Sequence, residues 1–170
     1  NNIAFENKSS TNNTGLVANT VSNGTLSLTV SSFPKEIEIG IDVSGDTKNN
    51  AGLLVGYLNK ASLTLSKPMT PSTATIQAPK GGAGGIVGRI DGSTESTVSL
   101  NSNMDLTAVT ILGKYTGGVA GYAKNVVFGA FGENKFSLPK SLGVKANNIV
   151  SSGDVSSQYV TGLLLALANL

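Results

Sequence analysis

The chain has no cysteine, no histidine and no tryptophan, and arginine occurs once, at Arg89. Without His and Cys there is no Ser-His-Asp triad, no thiolate nucleophile, no disulfide framework, no haem ligand and none of the common zinc sets. No metal or other cofactor is therefore expected. Charged residues are sparse at 13%, and twelve basic against ten acidic side chains leave a net charge of +2 with no basic block. That distribution gives nothing to steer a nucleic acid. Long apolar runs are also missing: the longest, Gly162-Leu-Leu-Leu-Ala-Leu-Ala168, is far short of the ~20 residues a membrane-spanning helix needs. The start of the chain carries no cationic segment followed by an apolar run, so a signal peptide is not expected within it.

What the chain does have is 21 glycines in 170 residues, with nearly a third of its positions Ser, Thr or Asn. The length suits one module over residues 1–170, either a single domain or a piece of a larger protein. Sequons at Asn7, Asn12 and Asn23 are read as chance in so Asn- and Thr-rich a segment, with glycosylation as the alternative. Cysteine avoidance with a Ser/Thr/Asn/Gly-rich surface fits an exported protein.

An internal repeat is the main signal. Five segments align without gaps: Thr14-Gly-Leu-Val-Ala-Asn-Thr20, Gly52-Leu-Leu-Val-Gly-Tyr-Leu58, Gly84-Gly-Ile-Val-Gly-Arg-Ile90, Gly117-Gly-Val-Ala-Gly-Tyr-Ala123 and Gly162–Ala168. Their third position is aliphatic (Leu16, Leu54, Ile86, Val119, Leu164) and their fifth is tiny (Ala18, Gly56, Gly88, Gly121, Ala166). Their sixth is mostly long (Asn19, Tyr57, Arg89, Tyr122, Leu167). Read with a period of two, positions three and five point inward and six outward. A side chain as small as that at position five implies that a bulky group or another stretch of backbone fills the space.

Between these anchors lie alternating apolar–polar runs. One set comprises Leu26-Ser-Leu-Thr-Val30, Leu63-Thr-Leu65 and Val98-Ser-Leu100; the other comprises Ile37–Val43, Ala74-Thr-Ile76 and Ala108–Ile111. No 3.6-residue stripe appears, and β-branched residues and Gly disfavour helix. Three short strands per repeat predict an all-β fold, a parallel β-helix of about five irregular coils. Like positions stack on like at the ~4.8 Å spacing of neighbouring strands. The alternative, an antiparallel β-sandwich, uses similar strands and turns but gives no reason for one motif to return. The widest repeat spacing predicts a large excursion from the coil over 124–158.

The anchor cores Gly85-Ile-Val-Gly88 and Gly118-Val-Ala-Gly121, with Leu53-Leu-Val-Gly56, Gly15-Leu-Val-Ala18 and Leu163-Leu-Leu-Ala166, resemble the GLUG motif. That motif recurs in large bacterial surface and secreted proteins, among them adhesins and the non-catalytic N-terminal portions of streptococcal IgA-cleaving metalloproteases. The resemblance implies a non-catalytic β-solenoid of an extracellular or cell-surface bacterial protein. Its expected partners are further coils of the parent protein and a host glycan or extracellular-matrix protein.

Two constellations carry candidate chemistry. If coils stack in register, Tyr57, Arg89 and Tyr122 form an outward ladder with a guanidinium between two phenol rings. Such a strip would receive a sugar ring or a partner's side chain, or simply fix coil register. Glu36, Glu38 and Asp42 share one face of their strand. They could serve as general acid and base in a carbohydrate-active β-helix or hold Ca²⁺, against the plainer reading of a solvated outer face. The Gly-rich run Lys80–Gly88 lacks the helix that a phosphate cradle needs, since Arg89-Ile-Asp-Gly-Ser-Thr94 reads as a turn.

Overall fold

The computed structural model describes residues 4–29, 32–41, 49–92, 95–128, 136–137 and 141–143. Among them there is no helix. All seventeen strands belong to parallel pairings, and the chain winds as a β-solenoid. The first coil holds β1 (Ala4–Ser9), β2 (Thr14–Gly15), β3 (Ala18–Ser22) and β4 (Thr25–Leu28). The second holds β5 (Glu36–Ile41), β6 (Ala51–Gly52), β7 (Val55–Asn59) and β8 (Ser62–Leu65). The third holds β9 (Ala74–Gly84), β10 (Val87–Asp91), β11 (Ser96–Leu100) and β12 (Met104–Asp105). The fourth holds β13 (Val109–Gly117), β14 (Ala120–Ala123), β15 (Val126–Phe128) and β16 (Phe136–Ser137), and β17 (Ser141–Gly143) stacks on its start.

Three faces result: β1-β5-β9-β13-β17, β3-β7-β10-β14 and β4-β8-β11-β15. The small strands β2 and β6 continue at a corner into the end of β9. Three turns separate the first and fourth strands of the second face, and a sandwich is not needed to account for any pairing. The fifth sequence copy, including Leu164, Ala166 and Leu167, lies outside the described residues.

The core forms because alternate residues of every face point to one axis. Ile37 stacks over Ala74, Ile39 over Ile76 and Ile76 over Ile111, and Leu63 over Val98, each at most 1% exposed, with Ile41 buried beside them at 3%. Met69 and Met104, which follow the third-face strands β8 and β11 along the chain, are bridged partners and equally buried. Even through the bends the backbone bonds pass from coil to coil: Leu16 N–H donates to Leu53 O at 3.0 Å, Leu53 N–H to Gly84 O at 3.1 Å, and Gly85 N–H to Gly117 O at 3.0 Å. Burying one aliphatic side chain of this size is worth ~1.5–3 kcal/mol, and the same gain recurs each time the chain returns.

Position five of the anchor meets backbone, as its size implies. A Cβ on Gly56 would lie 2.6 Å from Thr14 N, on Gly88 2.7 Å from Ala51 N, and on Gly121 2.4 Å from Ala83 N. Each glycine thus rests on the corner of the coil before it, and no side chain fits there.

Three expectations are corrected. The first anchor copy registers one residue later than the gapless alignment, because Gly15, not Thr14, pairs with Gly52. Val17, Asn19 and Thr20 therefore stand in columns three, five and six, and Thr20 pairs with Tyr57. Position four is buried as well, with Val55 and Val87 at 0% exposure, because the chain bends at 53–54 and 85–86 and alternation does not carry through a bend. The predicted excursion does not begin at 124: β15 stacks on β11, β16 on β12 and β17 on β13.

Candidate functional site

The second face positions the ladder. Within β7, β10 and β14 the register pairs Tyr57 with Arg89 and Arg89 with Tyr122. Their side chains share the outward side and lie half-buried. Parallel in-register pairing superposes identical positions, so the three meet without any specific contact having to bring them together. The Arg89 guanidinium carbon stands 4.7 Å from the Tyr122 ring centroid and 5.9 Å from that of Tyr57, both inside the cation–π range of about 6 Å.

Asp91 lies two residues on, on the same side of β10, and accepts a 2.6 Å hydrogen bond from Arg89 Nη2. This bond, with the Gly92 backbone N–H donating to Oδ1 at 2.8 Å, holds the Asp91 carboxyl below the usual carboxylate range. The same ion pair raises Arg89 further above its ordinary value. Arg89 Nε, by contrast, is buried without a partner among the described residues.

Tyr115, brought round the corner from β13, meets Tyr122 edge-on with centroids 6.1 Å apart, and Lys114 Nζ lies 5.3 Å from the Tyr115 centroid. Both Lys114 and Tyr115 extend the strip and went unnoticed in the sequence, because they precede the repeat they pack against. Stacking along the solenoid axis turns the faces of Tyr57 and Tyr122 toward Arg89. The strip therefore offers solvent ring edges, hydroxyls and one exposed ring, Tyr115, at 37% exposure.

The acidic face is only partly described. Glu36 and Glu38 are exposed on β5, as alternation requires, and Asp42 lies outside the described residues. Glu38 Oε2 accepts from Lys8 Nζ at 2.6 Å, and Lys8 also pairs with Glu6 Oε1 at 3.1 Å. The two carboxylates raise the Lys8 ammonium above its ordinary pKa, the hydrogen bond to Glu38 foremost. Glu38 and Lys8 line a groove of about 420 Å³ together with Gly40, Thr75 and Gln77. No group of three or more carboxylates able to hold a metal occurs among the described residues. The run Lys80–Gly84 ends strand β9 and leads through a bend into β10, so no helix N-terminus faces those glycines.

Sequence reasoning also missed an asparagine ladder at the corner. Asn13 Oδ1 accepts from both Asn50 N–H and Asn50 Nδ2 at 2.9 Å, and Asn50 Oδ1 accepts from Gly82 N–H at 2.9 Å. Its signal is present: Asn13-Thr-Gly15 and Asn50-Ala-Gly52 place Asn at one offset from the paired glycines. The one-residue slip in the first copy hid it. The ladder saturates polar groups inside the fold and is structural.

Comparison with protein-family models, curated proteins and solved structures finds no match. No helix among the described residues is long and apolar enough to cross a membrane.

Proposed function

We propose that this chain is a non-catalytic structural and adhesive module of a bacterial cell-surface or secreted protein. It acts as a segment of a rigid rod whose lateral faces make weak, multivalent contacts with a host glycan or extracellular-matrix protein. The observation that supports this most is the unbroken parallel register of the second face, which aligns the half-buried Tyr57, Arg89 and Tyr122, with Tyr115 from β13 adding an exposed ring beside Tyr122. A strip of ring edges and charge binds weakly at any one point, and repetition of weak contacts supplies strength through effective concentration. The resemblance of the anchors to the GLUG motif fits the same reading.

The test is density dependence. The chain is coupled to beads at graded densities and retention of fibronectin, collagen and a glycan panel is measured beside the soluble monomer. Retention that rises steeply with density and drops in Tyr115→Ala is expected. Equal binding by monomer and beads, or no retention at any density, would overturn the adhesive role.

A second reading, a carbohydrate-active β-helix, draws on one observation: Glu38 lines a groove with a facing cation, Lys8. Release of reducing ends from a polysaccharide by the purified chain, lost in Glu38→Gln, would favour it over the rod.

A further inference from the structure

Gly40 differs from the anchor glycines. A Cβ there would meet Lys8 Cγ at 3.6 Å, Gln77 O at 3.7 Å and Gln77 Cβ at 4.0 Å, ordinary contacts, and its φ is open to any residue. The anchor glycines would collide with backbone: Gly84 with Val87 O at 1.9 Å and Gly52 with Val55 O at 2.1 Å. Glycine within a strand costs ~0.5–1 kcal/mol relative to alanine, so at position 40 the fold bears a cost that it has no steric reason to bear. The consequence is a notch. Lys8, Gly40 and Gln77 are direct neighbours across β1, β5 and β9, with Glu38 opposite Thr75 beside them, and the groove opens over this gap between side chains.

Apart from Gly40 and the core residues Ile39 and Ile41, the groove is lined by polar side chains of mixed character. Glu38 keeps Oε1 as a free acceptor position while Oε2 accepts the hydrogen bond from the Lys8 ammonium; Lys8 and the Gln77 amide donate; Gln77 and the Thr75 hydroxyl can do either. Vicinal hydroxyls, each both donor and acceptor, match such a set. Charge narrows the class: Glu6 and Glu38 outnumber Lys8, their shared partner, so a sulfate or carboxylate would meet excess negative charge. The size, about 420 Å³, falls within the ~300–1,000 Å³ of small-molecule sites.

We propose that the notch over Gly40 is a binding site for a neutral sugar residue, held through its hydroxyls by Glu38, Lys8, Thr75 and Gln77. The site lies on the first face, away from the Tyr/Arg strip, and its chemistry stands whether or not the rod reading does.

The test is amide NMR of the ¹⁵N-labelled 170-residue chain titrated with lactose, cellobiose and maltose, and with a sulfated chondroitin disaccharide as the anionic comparison. Saturable shifts at the Gly40 amide and the Gln77 side-chain amide are expected with at least one neutral disaccharide. Gly40→Thr fills the notch and should weaken that binding by at least about tenfold, equivalent to about 1.4 kcal/mol, with the melting temperature unchanged or raised. Glu38→Gln and Gln77→Ala should weaken it too, and they decide the matter should the threonine variant fail to fold. The proposal is overturned by the absence of saturable shifts with all three neutral sugars, by unchanged binding in the variants, by tighter binding of the sulfated disaccharide, or by shifts confined to Tyr57, Tyr115 and Tyr122. Density-dependent retention through the Tyr strip would survive each of these results, so the two readings fail separately.

Discussion

At the scale of single residues, glycine does two different things in this chain, and the distinction can be measured. At Gly88 a methyl group would lie 2.7 Å from both the N and the C of Ala51. Neither atom can move without breaking the corner that pairs with Ala83. Gly88→Ala is therefore expected to destabilise by about 1–3 kcal/mol or more, the range of overpacked cores. Gly40→Ala should be neutral or raise stability slightly, since its Cβ makes only ordinary van der Waals contacts and a strand glycine costs ~0.5–1 kcal/mol relative to alanine. Urea melts of the two variants beside the parent check this, and equal losses at both sites would show that the coil-to-coil contact at Gly88 is wrong. Position five was legible as small from the sequence alone; which atoms make it so was not, because they belong to the preceding coil.

At the scale of elements, the register of the second face lines up the ladder, and what the ladder adds to stability can be separated into parts. The Arg89–Tyr122 contact at 4.7 Å should appear in a double-mutant cycle of Arg89→Met and Tyr122→Leu as a coupling of ~0.5–1 kcal/mol, the range for a partly exposed cation–π pair. A coupling indistinguishable from zero would reduce the stack to mere adjacency.

Asp91 adds a pH dependence of definite sign. Its folded pKa is lowered, first by the hydrogen bond from Arg89, so the unfolded chain takes up the proton first. The stabilisation it gives is complete above the unfolded value of about 3.9 and is lost as pH falls through the lower folded value. Melting temperature should drop between pH 5 and pH 2 (roughly the window about that unfolded value), and Asp91→Asn should flatten part of that drop. A parent and variant that fall in parallel would remove Asp91 from the account.

The sequence made this ladder readable because in-register stacking turns a column of an alignment into a line in space. It did so for Tyr57, Arg89 and Tyr122 but not for the first coil, where Thr20 rather than Asn19 completes the column. Thr14-Gly-Leu-Val and Gly15-Leu-Val-Ala fit the aliphatic pattern equally well, and only the pairing of Gly15 with Gly52 decides between them. Tyr115 and Lys8 could not be read at all: each joins its site from a different strand across a corner or a face.

At the scale of the whole molecule, a solenoid is held by nearest-neighbour contacts between coils, so the position of a lesion along the axis sets its effect. Ile86 is fully buried at the bend between β9 and β10, and its backbone bonds reach both neighbouring coils, donating to Val119 O at 3.1 Å and accepting from Leu54 N–H at 3.0 Å. Truncating such a side chain costs ~2–5 kcal/mol, and a carboxylate left unpaired there adds the desolvation of a charge. Against a typical total of about 5–15 kcal/mol, Ile86→Asp should abolish the cooperative melt of the entire chain. Val21 lies half-buried on β3, in the first coil, with neighbours on one side only among the described residues. Val21→Asp should therefore fray that coil and leave protected amides in β7, β10 and β14. Hydrogen exchange with circular dichroism melts distinguishes the two outcomes. A cooperative melt retained by Ile86→Asp, or global unfolding by Val21→Asp, would mean that stability does not pass from coil to coil along the axis as the stacking requires.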